Sequence, residues 1–425
     1  MYKNKNYIIL SSVDWGTHKQ LHHALTKHLI NSGGKVLFVE NTGTRSLRLA
    51  DIARVKQRLK NLLKSKSGFT VKNKKLTIFT PLFIPFHFNY VIKKINNLIV
   101  TGRISKWVKS NNFTNAVIIN FLPNPITENL LKSLDSSAKV YFMADNMTIN
   151  SPKRDEMERF ERNIIKNSDF IFYTSDLLKK KFKKNNIKSQ ILSSGVDYKR
   201  YNIKKKVNTK FIIGYIGAIR EILDEKLILE ISKNLPNCEI RLVGPELVNF
   251  RSLKMQKNIK FTGQINHTKI PEVLSNFDIG IIPYKINLFT NSIYPLKLNE
   301  YLAAGLPVIS TEIKTISEFN KNHPDIIKVI DNKKNFIDTI NKIRTKKIIF
   351  KKHKLKLAAK LNSWDSKFLN FDEKIDQVIF ENRFTNLNFQ EKFKDLFNKQ
   401  KINYIKNFVL ISILTIIVYT ISIYT

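Results

Sequence analysis

Tyr294-Pro295-Leu296-Lys297-Leu298-Asn299-Glu300-Tyr301-Leu302-Ala303-Ala304-Gly305-Leu306-Pro307-Val308-Ile309-Ser310-Thr311 reads as a loop, a short helix and a buried strand. Asn291 or Ser292 precedes the helix, Pro295 suits its first turn, and Gly305 with Pro307 stops it. A helix N-terminus offers free N–H groups and partial positive charge to an anion such as a phosphate. Lys297, one turn in, adds a full charge. Glu300 lies on the same face and suits the paired hydroxyls of a ribose. The same spacing also fits an ordinary i,i+3 surface pair.

Working outward, short apolar runs alternate with helical patterns. Phe211–Ile216, Glu239–Val243, Ile259–Phe261, Ile279–Pro283, Pro307–Ser310 and Ile326–Val329 read as strands. Helices at Ile222–Asn234, Thr268–Asn276, Pro295–Ala304 and Lys334–Arg344 lie between them. The first half repeats the pattern, with strands at Tyr7–Val13, Lys35–Val39, Leu76–Thr80, Ala116–Phe121, Lys139–Phe142, Phe170–Thr174 and Gln190–Leu192 and a helix at Thr17–Asn31. Such alternation means parallel sheets covered on both faces. The basic, polar stretch Tyr198–Lys210 reads as a linker. The expected fold class is α/β, with two Rossmann-like doubly wound domains facing a cleft, at 1–205 and 206–360. Ligands of such sheets sit at the carboxyl ends of the strands. A further helix is expected over 361–385, a basic amphipathic segment over 386–406 and a transmembrane helix over 407–425.

The motif resembles the signature of the retaining family 4 (group 1) glycosyltransferases, whose C-terminal domain carries a Glu-x7-Glu element before a Pro-Val strand. The resemblance extends through Gly214-Tyr215-Ile216-Gly217, Arg241-Leu242-Val243-Gly244-Pro245, Phe261-Thr262-Gly263 and Asp278-Ile279-Gly280-Ile281-Ile282-Pro283-Tyr284. It implies the GT-B fold and a nucleotide-sugar donor. Glu300 matches the second Glu of the element, which contacts the donor ribose. Ser292 stands where the first Glu falls; members with a Pro-Leu-Lys variant resemble the chain more closely, and in them Lys297 is the phosphate candidate. By the same resemblance Gly217 with Arg220 or Lys226 faces the diphosphate, and the turns Gly244-Pro245 and Gln264-Ile265 hold the base. Asp14-Trp15-Gly16 is the glycine-containing cleft loop. Relatives carry a catalytic-site His after the fourth strand; this chain has none there, and Asp145 is the nearest polar substitute. A plain turn or a helix-capping Asp has the same appearance at these positions.

Composition narrows the remaining classes. Cys238 is the sole cysteine, so neither an intrachain disulfide nor a cysteine zinc cluster is possible. His18 and His22, four apart, read as a helix-surface pair. The sequence contains no Asp-x-Asp and no P-loop motif, so the expected chemistry uses no metal and no cofactor beyond the nucleotide-sugar substrate. Net charge is +39, a field that attracts nucleic acid, anionic lipid or phosphorylated substrates. No nucleic-acid-binding signature accompanies it, so nucleic acid is the less favoured partner. Residues 407–425 are uncharged, and lysines precede them. This pattern leads to the expectation of a membrane-associated enzyme with cytoplasmic catalytic domains. The partners then expected are a membrane lipid or lipid-linked glycan acceptor and an anionic membrane surface. Asp51–Ser65, an apolar stripe flanked by basic residues, reads as a helix resting on anionic lipid or facing the core. The rival readings are a catalytically inactive glycosyltransferase-like scaffold and a basic nucleic-acid-binding protein.

Overall fold

The computed structural model describes residues 5–16, 21–43, 67–84, 89–148, 153–181 and 187–385, together with Lys394, Gln400, Tyr404, Asn407 and Ser412. The chain divides into two compact units, Met1–Glu373 and Lys374–Thr425.

The first unit holds two sheets. The strands of one are β1 (Asn6–Leu10), β2 (Lys35–Val39), β3 (Phe69–Asn73), β4 (Leu76–Phe79), β5 (Ala116–Asn120), β6 (Ser136–Met143), β7 (Phe170–Tyr173) and β8 (Ser189–Ile191). Their order is β3-β4-β2-β1-β5-β6-β7-β8. Every residue of the central strand β5 is buried, as a strand covered by helices on both faces must be. All pairings are parallel except β3 with β4. The sequence reading missed β3 because this edge strand has no apolar run; its Val71 is 71% exposed.

The other sheet comprises β9 (Phe211–Ile216), β10 (Cys238–Val243), β11 (Ile259–Phe261), β12 (Ile279–Ile282), β13 (Val308–Thr311) and β14 (Ile327–Ile330). They run in parallel in the order β11-β10-β9-β12-β13-β14. This is the doubly wound order, and the winding reverses beside β9, as it does beside β1 in the first sheet. Crevices open there at the carboxyl ends of the strands. The two Rossmann-like sheets of the sequence reading are therefore present.

The segment between β8 and β9 is more than a polar linker. It contains a 3-10 turn, Tyr198–Tyr201, whose Tyr201 side chain is buried. The chain also returns alongside it. Val196 donates to Asn362 O at 3.2 Å and accepts from Trp364 N at 3.0 Å. The helical residues that follow reach the first sheet: Phe371 lies 5.1 Å from Phe172, and Asp372 bonds His28 Nε2 at 2.8 Å.

The membrane expectation requires correction. Among the described residues no helix is long and apolar enough to cross a membrane. The transmembrane helix expected at 407–425, and the membrane localisation built on it, are accordingly not supported. The expectation came from the absence of charge along a run barely one bilayer core long, and a span needs a continuous apolar helix of about 20 residues. Apart from Asn407 and Ser412 that stretch lies outside the described residues. So does Asp51–Ser65, and most of the amphipathic segment 386–406. In the second unit residues 374–385 are helical, with Gln377 bonded to Lys374 at 3.0 Å and to Glu381 at 3.1 Å.

Candidate functional site

Three strands of the second sheet end in glycine turns, and the turns stack. Gly217 N donates to Val243 O at 2.9 Å, and Gly244 N donates to Gly263 O at 2.9 Å. Gly217 and Gly244 have φ of +138° and +148°, where a side chain is strained. These turns floor a cavity of about 440 Å³. Its opposite wall comes from the first sheet, through Ser12 after β1, Asp145 after β6 and Thr174 after β7.

The helix Leu296–Ala304 enters this cavity by its N-terminus, and Tyr294, Pro295, Leu296 and Lys297 all line it. Pro295 is the N-cap residue, with no side-chain cap, and Gly305 at φ +70° terminates the helix. The helix end thus keeps its partial positive charge turned to the cavity. Lys297 is 9% exposed. Its ammonium bonds the Tyr284 hydroxyl and lies 4.7 Å from the ring centres of both Tyr215 and Tyr284. It also sits against Gly217: a Cβ added there would meet Lys297 Nζ at 3.1 Å. Among the described residues no carboxylate pairs with it.

Arg220 lines the cavity, 5.7 Å from the Phe289 ring centre and bonded to Glu221 at 3.0 Å. Its Nε is buried without a hydrogen-bond partner. Lys226, the alternative cation, is exposed on the helix Glu225–Asn234 and does not line the cavity. Glu300, Pro245, Gln264 and Ile265 do. Glu300 accepts from Tyr201 Oη at 2.9 Å. Ser292 does not reach the cavity; its buried hydroxyl turns back to Phe289 O at 2.7 Å.

On the opposite wall Asp145 opens into the cavity with protein packed around it. Burial raises its carboxyl above the ordinary range, and the Arg220 guanidinium opposes that rise. The Asp14-Trp15-Gly16 loop lies outside the cavity lining. Trp15 N donates to Glu40 Oε1 at 2.8 Å and its ring packs on Phe38 at 5.0 Å, so the loop is braced against the first domain's own core.

Residues 210–346 match the family described as glycosyl transferases group 1. The match covers the second sheet and the helices around it, and it is to that segment alone that the likeness applies. The chain is also 31% identical over 185 residues to the putative teichuronic acid biosynthesis glycosyltransferase TuaH of Bacillus subtilis strain 168. That alignment covers 40% of this chain and 47% of TuaH, so the chain spans about half the length of this curated relative. In three dimensions it is similar to sucrose-phosphate synthase of Thermosynechococcus elongatus, with TM-score 0.66, 11% identity, and 89% and 100% of the two chains covered. It is also similar to Anabaena HepE in complex with UDP, with TM-score 0.62, 12% identity, and 88% and 100% covered. At such identities the likeness carries the fold alone, which is of the GT-B type.

Facing the second sheet across the cavity is a residue that the sequence reading assigned to a helix surface. His22 is 2% exposed and lines the cavity, with Nε2 2.9 Å from Ser12 Oγ and its ring 4.1 Å from Phe121. His18 lies outside the described residues. Burial, and then His23, depress the His22 pKa from 6.5 to about 3. Below 6.5 the unfolded chain takes a proton that the native state refuses until about 3. The stability this residue contributes is therefore complete above 6.5 and lost as pH falls toward 3. Between pH 6.5 and about pH 5 the loss should be about 2 kcal/mol. Urea titration of His22→Gln should show a shallower acid-side slope than the parent; equal slopes would contradict the assignment. Tyr201, Tyr215, Tyr284 and His267 were likewise given no role by sequence, because their approach to Lys297 and Glu300 joins separate strands and turns.

Proposed function

We propose that the chain is a glycosyltransferase that moves a sugar from a nucleotide-sugar donor to a glycan acceptor in polysaccharide assembly, with retention and without a metal ion. The observation that carries this reading is Lys297, a buried ammonium at a helix N-terminus, facing a cavity, with no carboxylate to neutralise it among the described residues. Buried charges are ordinarily paired. A diphosphate supplies the missing anion. As the glycosidic bond of the donor breaks, negative charge grows on the leaving diphosphate. Lys297, Arg220 and the helix end offer fixed positive charge at that place. Glu300 takes the ribose hydroxyls, and Asp145 orients the acceptor hydroxyl from the opposite wall. In the retaining reading the donor phosphate itself receives the acceptor proton. With the membrane-spanning helix withdrawn, a membrane-lipid acceptor loses the observation that motivated it, and the acceptor proposed is a glycan.

The test is a panel of nucleotide sugars, scored by thermal stabilisation and then by turnover. Stabilisation by none of them would overturn the reading. Stabilisation without hydrolysis or transfer would favour an inactive scaffold, a reading that the serine at position 292 keeps in play.

Two further outcomes are expected. Glu300→Ala should weaken nucleotide-sugar binding by about 1.5–3 kcal/mol through loss of a charge-assisted hydrogen bond. Calorimetry showing unchanged affinity would remove Glu300 from the site. Turnover should persist in EDTA, because the sequence offers no Asp-x-Asp and the cavity brings its own cations. Activity that vanishes in EDTA and returns with magnesium or manganese would contradict this.

A further inference from the structure

The carboxylate of Glu300 is held from outside its own helix. Its Oε1 accepts from the Tyr201 hydroxyl at 2.9 Å and lies 3.5 Å from His267 Nε2. His267 is gripped twice by Arg200, through Nη1 to Nδ1 at 3.1 Å and through Nη2 to the backbone carbonyl at 3.0 Å. A guanidinium only donates. Nδ1 is therefore the acceptor in that pair, and the proton of the neutral imidazole sits on Nε2, facing Glu300. Arg200 thus donates to His267, whose Nε2 lies 3.5 Å from the Glu300 carboxylate. Arg200 and Tyr201 are neighbours in the turn Tyr198–Tyr201, on the segment that crosses from the first sheet to the second. The helix is tied to that segment a second time, because Asn299 Nδ2 donates to Ser194 O at 2.7 Å. Tyr201 and Asn299 are both fully buried. Among the described residues no protein donor reaches Oε2 of Glu300.

We propose that Tyr201, His267 and Arg200 are positioning residues: they occupy Oε1 of Glu300 and fix its rotamer so that Oε2 is presented to a ribose hydroxyl, which makes the site select ribonucleotides over deoxyribonucleotides. This rests on the reading of Glu300 as the ribose ligand given above. A flexible carboxylate gains little from a diol, because it must be ordered on binding; one already held by the Tyr201 hydroxyl and the adjacent His267 ring is ordered beforehand. The arrangement also makes the crossing segment part of the donor site, although Arg200 and Tyr201 do not line the cavity.

The experiment uses the full chain and calorimetry with UDP, GDP, ADP and CDP, followed by the 2′-deoxy and 3′-deoxy analogues of whichever binds tightest. The wild type should prefer the ribonucleotide at least about tenfold. In Tyr201→Phe and in Arg200→Met the ribonucleotide should weaken about tenfold while the deoxy analogues hold their affinity, so that the preference collapses. A purely structural contribution would weaken both ligands together and keep the ratio; that result in both variants overturns the proposal. Arg200→Met guards against a folding defect at the buried Tyr201, with melting temperature checked for each. Glu300→Gln separates the two levels. A ratio unchanged in Glu300→Gln, or no nucleotide bound at all, defeats the ribose reading itself. A ratio lost in Glu300→Gln and kept in the other two defeats only the positioning role.

Discussion

Replacing Lys297 with methionine is expected to lower turnover by a factor of about 100–1,000 while leaving the fold as stable as before, or more so. The two halves of this result share one cause. The ammonium is buried, wedged between the rings of Tyr215 and Tyr284 and bonded to the Tyr284 hydroxyl. Rings and a hydroxyl recover only part of what desolvating a full charge costs. In the free protein the charge is a liability, and a methionine of similar length fills the same space without it. In the proposed reaction the same charge would stand where the leaving diphosphate develops its own, in a site that need not reorganise to meet it. Melting curves and steady-state kinetics on one preparation test both halves. A melting temperature that falls in step with activity would mark Lys297 as a packing residue, and unchanged kinetics would remove it from the diphosphate site.

Gly244→Ala is expected to destabilise the protein by about 3–5 kcal/mol and to abolish donor binding. Gly244 sits at φ +148°, and a Cβ there would overlap the Gly217 carbonyl oxygen and lie 2.6 Å from the carbonyl carbon. Those are backbone atoms, and no rotamer change relieves the clash. Gly217 cannot withdraw, because its N–H is bonded to Val243 O, one residue before Gly244. The displaced turn is also the one that packs on Lys297, so strain introduced at residue 244 reaches the proposed phosphate position directly. Urea unfolding reads the first effect, and nucleotide-sugar titration of whatever folds reads the second. Unchanged stability would mean that the stacked turns are looser than their geometry implies.

Much of this arrangement was legible in one dimension. Period-two and apolar runs such as Ile212–Ile216 and Ile279–Ile282 are local signals, since a strand's facing alternates with neighbours two residues away. The glycines at strand ends, and the Pro295-to-Gly305 bounds that placed Lys297 and Glu300 in the first turns of one helix, are also local. Two Rossmann-like sheets and the bounds of the helix Leu296–Ala304 followed from these alone. What the sequence could not decide is whatever depends on distant segments meeting. Arg220 and Lys226 are equally basic in sequence; the loop before the helix Glu225–Asn234 brings one into the cavity and the helix carries the other outward. His22 reads as a surface residue until β5 and its following loop close over the first helix, with Phe121 against the ring. The hydrogen bond from Tyr201 to Glu300 spans 99 residues and lies in a stretch whose composition is that of a linker. The uncharged tail failed in the opposite sense, because absence of charge over a short run describes solubility in an apolar medium and does not specify what surrounds it. Local periodicity is set by bonds along the chain, whereas burial, pairing and charge compensation are set by which segments the folded chain returns to the same place.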